Sequence, residues 1–351
     1  MKKKITIAAG GTGGHVFPAV CLANELRSRG YDIVFVTDKR GKKYLNDEGY
    51  PIVVQDINTS SRGKLYVSLI KSVLFSFFKL FKNKPDCVIG FGGYPSVPFV
   101  FASQLLGIKT IIHEQNAVIG KANKLLSKLA TRIITSFNDT KYLNKTNKVV
   151  YIGNPTRFEK QYLNKKSNEK SDVLKILIFG GSQGAKIFST QITDAICSIA
   201  KEKKIQIFQQ ARHEDVEMLR DKYIDNNIPH VVDNFFNNID ELYIQADLVI
   251  SRSGASSIFE IIGFRKPAIL IPYKKSINGD QEENARFLKR NRAAVVIDEH
   301  KDTNEDIFNI IKSAIEDSEN LLDIEKSLDA LFIPEITQKI SDEVEKLVKT
   351  A

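Results

Sequence analysis

An apolar run that breaks into a glycine turn and then a helical pattern occurs twice in this chain, and it restricts the fold more than any other feature. Lys4-Ile5-Thr6-Ile7-Ala8-Ala9 leads into Gly10-Gly11-Thr12-Gly13-Gly14-His15 and a helical pattern from about Phe17 to Ser28. Lys175-Ile176-Leu177-Ile178-Phe179 leads into Gly180-Gly181-Ser182-Gln183-Gly184-Ala185 and a helical pattern from Lys186. Short apolar runs of this kind read as buried strands, as in parallel sheets. Glycine lets the backbone turn tightly and approach a ligand, and the helix N-terminus behind it favours an anion. Neither turn matches G-x-G-x-x-G in register, and neither carries the Lys-Ser/Thr of a P-loop. The 351 residues suit two domains at roughly 100–200 residues each.

Further strands are expected at residues 32–37, 86–90, 109–113 and 132–135, then at 205–209, 247–251, 267–271 and 294–297. Their alternation with helical patterns implies crossover units and a mainly parallel α/β sheet in each half. Asn154-Pro155 and the lysine-rich stretch to Asp172 read as a linker, and a last helix of about Glu335 to Val348 follows Pro334. Asp38 ends the second strand, where a dinucleotide-binding fold places the acid that grips a ribose. An oxidoreductase reading therefore stands beside that of a solvated turn residue. The histidines 15, 113, 213, 230 and 300 form no H-x-x-x-H or H-E-x-x-H pair, so no metal cage and no cofactor are expected.

Charge divides the halves. Up to Arg157 there are 24 Lys and Arg against 9 Asp and Glu, a balance of +15; the remainder has 27 against 33, a balance of −6. A basic half beside an acidic one implies a large anionic partner for the first half. Nucleic acid and an anionic membrane surface are the candidates. No zinc-finger spacing or aromatic RNA-binding signature is present, so nucleic acid is not expected. Cys21, Cys87 and Cys197 are odd in number and far apart, which fits a reducing compartment. The apolar stretch Ile5–Ala9 is too short for a signal peptide, and a cytoplasmic protein is expected.

Six blocks, in order, resemble the MurG family, the bacterial N-acetylglucosaminyltransferases of glycosyltransferase family 28. They are Gly10-Gly11-Thr12-Gly13-Gly14-His15-Val16-Phe17-Pro18, Gly92-Gly93-Tyr94-Pro95-Ser96, His113-Glu114-Gln115-Asn116, Gly153-Asn154-Pro155-Thr156-Arg157, Gly180–Ala185 and Ser251-Arg252-Ser253-Gly254-Ala255. The resemblance implies a GT-B fold, two Rossmann-like parallel-sheet domains facing across a cleft. It places residues 1–157 plus 335–351 in an acceptor- and membrane-binding domain and 158–334 in a donor-binding domain. The implied reaction moves N-acetylglucosamine from UDP-GlcNAc, with inversion, to the 4-hydroxyl of the N-acetylmuramoyl unit of undecaprenyl-linked lipid I. The product is lipid II for peptidoglycan synthesis, made on the cytoplasmic face of the inner membrane.

Carried over motif by motif, the donor contacts are Thr12, Gly13, Gly14, Asn116, Arg157 and Ser182. Ala255 and Ser256 face phosphate at a helix start, Glu260 holds the ribose hydroxyls, Phe236 lies beside the uracil and Gln281 reaches the sugar. Asp280 stands where some relatives have Gln, which leaves its role open. His15 is the expected base, with Glu114 as its rival. His113 is expected to be structural or a substrate contact. Leu65 to Phe81 is apolar but, at ~1.5 Å per residue, too short to cross a bilayer core. On a helical wheel Ser68, Lys71, Ser72, Ser76 and Lys79 form a polar face carrying Phe75, with Phe78 at its border one turn from Lys82. The expectation is an interfacial helix whose aromatics enter lipid while lysines meet anionic headgroups.

Overall fold

The computed structural model describes residues 2–46, 48–55, 62–163, 172–180 and 185–349. The chain forms two compact units, Met1–Arg157 with Ile333–Ala351, and Phe158–Phe332.

In the first unit the strands are β1 (Lys4–Ala8), β2 (Asp32–Thr37), β3 (Ile52–Val54), β4 (Cys87–Gly90), β5 (Lys109–Glu114), β6 (Arg132–Thr135) and β7 (Val149–Tyr151). The helices are α1 (Gly13–Ser28), α2 (Lys39–Lys42), α3 (Arg62–Lys82), α4 (Val97–Leu105) and α5 (Lys121–Leu126). All seven strands pair parallel in the order β3-β2-β1-β4-β5-β6-β7. Ile5, Ile7, Ile89 and Ile111 are wholly buried in the central strands. A sheet covered on both faces selects such continuous apolar strands.

The second unit has β8 (Leu174–Phe179), α6 (Thr193–Ile199), β9 (Ile205–Gln210), α7 (Val216–Asp225), β10 (His230–Asp233), α8 (Ile239–Gln245), β11 (Leu248–Ser251), α9 (Ala255–Phe264), β12 (Ala268–Leu270), α10 (Asp280–Arg290), β13 (Val295–Val296), α11 (Asn304–Glu316) and α12 (Ser318–Leu331). Its six strands, also parallel, run β10-β9-β8-β11-β12-β13. The last helix, α13 (Ile336–Lys349), belongs to the first unit. Arg29, at the end of α1, donates to Asp342 at 2.6 Å and to the Gln338 carbonyl. Lys3 and Lys109 donate to the Val348 and Leu347 carbonyls, satisfying the open end of α13.

Two sequence expectations change. The stretch from Asn154 to Asp172 is not a linker throughout: Phe158 and Tyr162 are buried, and both rings pack on Phe264 of the second unit. Gly263 has no room for a side chain, because a Cβ there would lie 2.2 Å from the Tyr162 ring. The face of α3 also differs. Ser72 and Ser76 are buried, receiving the Gln55 side-chain amide at the Ser72 carbonyl (2.6 Å) and the Ser76 hydroxyl (3.0 Å). Val67, Ile70, Leu74, Phe78 and Phe81 point outward instead. A wheel assigns small serines to water, but here Gln55 supplies hydrogen bonds that let them face the protein.

Candidate active site

In each sheet the first strand of the unit lies between a strand that follows it directly and one reached by a longer crossover. β1 sits between β2 and β4, and β8 between β9 and β11. Ligands of open parallel sheets bind outside the carboxyl ends of the strands at such a switch point. The turn after β1 holds Gly10 to Gly14, and β8 is followed directly by Gly180. Ser182 lies outside the described residues.

Around the first turn, Gly11 takes φ +90°, and Thr12 caps α1 in extended conformation with no side-chain bond to a helix backbone N–H. The N–H groups of Gly13 and Gly14 precede the first backbone bond of α1, which His15 N makes to the Thr12 carbonyl, and they open towards a ligand. The sequence expectation started this helix at Phe17; the glycines are instead its first turn. Gly92 and Gly93, after β4, also have positive φ, and a Cβ on Gly92 would stand 3.3 Å from the His15 ring. The imidazole of His15 therefore lies over a glycine that leaves it space. Its Nδ1 is 3.2 Å from Thr12 Oγ1. Burial lowers its pKa to about 4, and its place in the first turn of α1 acts in the same direction. Arg157 stacks its guanidinium on Phe17, 4.6 Å from the ring centroid.

Glu114 is 2 % exposed. Its carboxylate accepts from Asn116 N (3.1 Å), Gly120 N (2.9 Å) and Asn123 Nδ2 (2.8 Å). It ties together the loop that carries Asn116, and this argues against the rival base assignment. His113 is fully buried, with Nε2 3.0 Å from the Gly153 carbonyl and Nδ1 3.2 Å from Gln115 Nε2. This fits a neutral ring that donates from Nε2 and accepts at Nδ1. Burial lowers its pKa from 6.5 to about 4. The folded state then binds fewer protons than the unfolded chain between those values, so stability is lost as pH falls through that window. The expected loss from His113 is about 3 kcal/mol between pH 6.5 and 4. Urea midpoints at pH 7 and 4.5, with NMR titration of the His113 ring, check this; a ring titrating at its ordinary value would remove His113 as the cause.

In the second unit the turn after β11 is braced from α10. Ser253 Oγ donates to the Gln281 carbonyl at 2.8 Å, and Asn284 Nδ2 to the Ser253 carbonyl at 3.1 Å. Gln281 Oε1 accepts from Tyr273 N, which turns its amide NH₂ away from that contact. Gly254 caps α9 in extended conformation, Ala255 is buried, and the buried Ser256 Oγ has no hydrogen-bond partner among the described residues. One turn on, Glu260 accepts from the buried Tyr243 hydroxyl at 3.2 Å. Phe236 is buried after β10. Asp280 accepts from Gln281 N, and burial raises its carboxyl pKa. Each unit thus gathers its own set of the expected residues. Arg252, to which the sequence reading gave no role, is buried, donates to the Ile271 carbonyl and to Glu299, and shapes the β11 turn. Only its neighbours in a glycine-containing motif pointed to it.

Among the described residues, no group of three or more His, Cys, Asp or Glu is placed to hold a metal ion. No helix among them is long and apolar enough to cross a membrane.

Two parallel-sheet Rossmann-like units, each with its first strand at the switch point of its sheet, define a protein of the GT-B fold class. Residues 5–135 match the glycosyltransferase family 28 N-terminal domain, and residues 175–340 the glycosyltransferase family 28 C-terminal domain. The chain belongs to glycosyltransferase family 28. It is 40% identical over 297 residues to a protein of Rickettsia bellii, covering 82% of this chain and 83% of the relative. It is 36% identical over 325 residues to one from the Wolbachia of Drosophila simulans, covering 92% and 93%. Both relatives are named UDP-N-acetylglucosamine–N-acetylmuramyl-(pentapeptide) pyrophosphoryl-undecaprenol N-acetylglucosamine transferase. The crystal structure of Acinetobacter baumannii MurG superposes with a TM-score of 0.85 at 29% identity, covering 99% of this chain and 100% of that one.

Proposed function

We propose that this enzyme transfers N-acetylglucosamine from UDP-GlcNAc to the 4-hydroxyl of the N-acetylmuramoyl unit of lipid I, giving lipid II for peptidoglycan synthesis. The observation that carries the reading is the match over 92% of the chain to a relative with this named activity, together with the two family 28 domains and the glycine turn at the switch point of the first unit.

His15 is the base. With Nδ1–H donated to Thr12, Nε2 presents its lone pair to the acceptor hydroxyl, and the depressed pKa keeps the ring neutral at pH 7. Thr12, Gly13, Gly14, Asn116 and Arg157 bind the donor from the first unit. The α9 N-terminus with Ala255 and Ser256 receives the departing diphosphate, where N–H groups aimed at developing charge are most effective. Ser182 donates to the same phosphates, Phe236 borders the base and Gln281 binds the sugar through its amide. Glu260 accepts from the ribose hydroxyls. Glu260→Ala is therefore expected to weaken UDP binding about 10- to 150-fold, the loss of a hydrogen bond to a charged group. Isothermal calorimetry with UDP measures it, and an unchanged affinity would remove Glu260 from the site.

The enzyme works peripherally at the cytoplasmic face of the membrane, docking through α3, whose outward residues are apolar and flanked by Lys71, Lys79 and Lys82. Lys79 also stands 5.7 Å from the Phe75 ring centroid. The oxidoreductase alternative loses its ribose acid, because Asp38 is already committed to the backbone N–H groups of Gly11 in the first turn and Gly41 in α2. Transfer to a water-soluble analogue of lipid I, followed by UDP release, tests the function as a whole.

A further inference from the structure

We propose that Asp38 is a positioning residue, whose carboxylate fixes the first glycine turn and through it the His15 imidazole; this rests on the reading of His15 as the base. Asp38 ends β2 and is 5 % exposed, so it is neither a solvated turn residue nor open to a ligand. Its Oδ1 accepts from both Gly11 N and Gly41 N at 2.9 Å, and its Oδ2 from Arg40 Nε at 2.9 Å. One oxygen thereby joins the turn after β1 to the turn after β2.

The space around this junction is closed. A Cβ on Gly41 would lie 3.0 Å from Gly10 Cα, and one on Gly10 would lie 2.9 Å from Asp38 Oδ1 and from Pro95 Cβ. A Cβ on Gly93 would lie 3.1 Å from the Gly10 carbonyl. The turn is thus held between the β2–α2 corner on one side and the Gly93–Pro95 segment on the other. Gly11 itself, at φ +90°, has the dihedral freedom to leave this conformation once its N–H is released. Thr12 follows directly, and its hydroxyl is the group that meets His15 Nδ1. A shift at Gly11 passes to Thr12 and so to the ring. Misplacement of a reacting group by about 1 Å lowers rates on the order of 10²-fold.

Three variants separate positioning from general structure. Asp38→Ala leaves the buried Gly41 N–H and the part-buried Gly11 N–H without their acceptor. Asp38→Glu keeps the charge but moves the oxygens by one methylene. Asp38→Asn keeps an oxygen for both N–H groups and gives up only the ion pair to the exposed Arg40. With UDP-GlcNAc and a water-soluble acceptor, Asp38→Ala and Asp38→Glu are expected to lower kcat about 10- to 100-fold, while affinity for UDP, assigned chiefly to the second unit, stays within about threefold of wild type. Asp38→Asn is expected to recover most of that rate. NMR titration of His15 should follow the same split, moving in the Ala and Glu variants and holding in Asn. Wild-type kcat and His15 titration in the Ala or Glu variant would overturn the proposal, as would an equal loss in Asn. If the Ala variant does not fold, Glu and Asn carry the comparison. If the wild-type protein transfers no sugar, the functional reading fails, and the His15 titrations alone decide the role of Asp38.

Discussion

Replacing His15 by Ala is expected to lower turnover about 10²–10⁴-fold, the contribution of a positioned general base, while UDP affinity changes little. The donor's nucleotide is assigned chiefly to the second unit, and the imidazole stands over Gly92 in the first. The pH dependence adds an independent check. Burial lowers the free-enzyme ring to about 4, and a base must be unprotonated to act. The acid limb of kcat/KM, which reports the free enzyme, should therefore fall near pH 4 and leave the rate flat from about pH 5 to 7. The limb of kcat should lie higher, because bound diphosphates add negative charge beside the ring and favour its protonation. Steady-state kinetics of wild type and His15→Ala across pH 4–8 measure both. A loss below about tenfold at saturating substrates would sink the assignment. Glu114 is not a ready replacement, since three donors already hold its carboxylate.

The sequence made the central strands legible because they are apolar on both faces: β1, β4, β5, β8 and β11 all lie where continuous Ile- and Val-rich runs stand. The edge strands β3, β7 and β10 were not legible. They have three or four residues each, and Val54, Tyr151 and Val231 are exposed, so they carry no buried run to find. The start of α1 was misjudged for a related reason. Glycine has low helix propensity, yet Gly13 and Gly14 begin the helix, because tertiary context outweighs propensity over one turn. At the site, residue types were readable and their commitments were not. Asp38 and Glu114 both look like available carboxylates in the sequence, and both are occupied by backbone N–H groups, of Gly11 and Gly41 for the one and of Asn116 and Gly120 for the other. Hydrogen-bond occupancy is a property of the folded loop, and spacing alone does not encode it.

The orientation of α3 sharpens the test of membrane docking. Phe78 and Phe81 are 73 % and 86 % exposed, and Ile70 and Leu74 continue the stripe at 62 % and 55 %. Phe75, at 41 %, lies at its flank and not at its centre. Such a row of large apolar side chains on one helix face is unfavourable in water unless a surface covers it. Phe78→Ser with Phe81→Ser is expected to release the protein from vesicles containing anionic lipid. Each Phe contributes about 1.5–3 kcal/mol on full transfer from water. Half-insertion of the pair leaves about 1.5–3 kcal/mol, a weakening of about 10- to 150-fold. The substitutions leave Ser72, Ser76 and Leu80, buried residues of the helix, in place, so the fold and transfer to a soluble acceptor should survive. Lys71, Lys79 and Lys82 contribute about 1 kcal/mol each near an anionic surface. Raising salt to about 1 M shortens the screening length to about 3 Å and should remove that part while sparing the aromatic one. Co-sedimentation of wild type and double variant with anionic and neutral vesicles, at low and high salt, separates the two contributions. Equal sedimentation of the two proteins would rule out the α3 stripe as the docking surface, and loss of soluble-acceptor activity in the double variant would show that Phe78 and Phe81 support the fold.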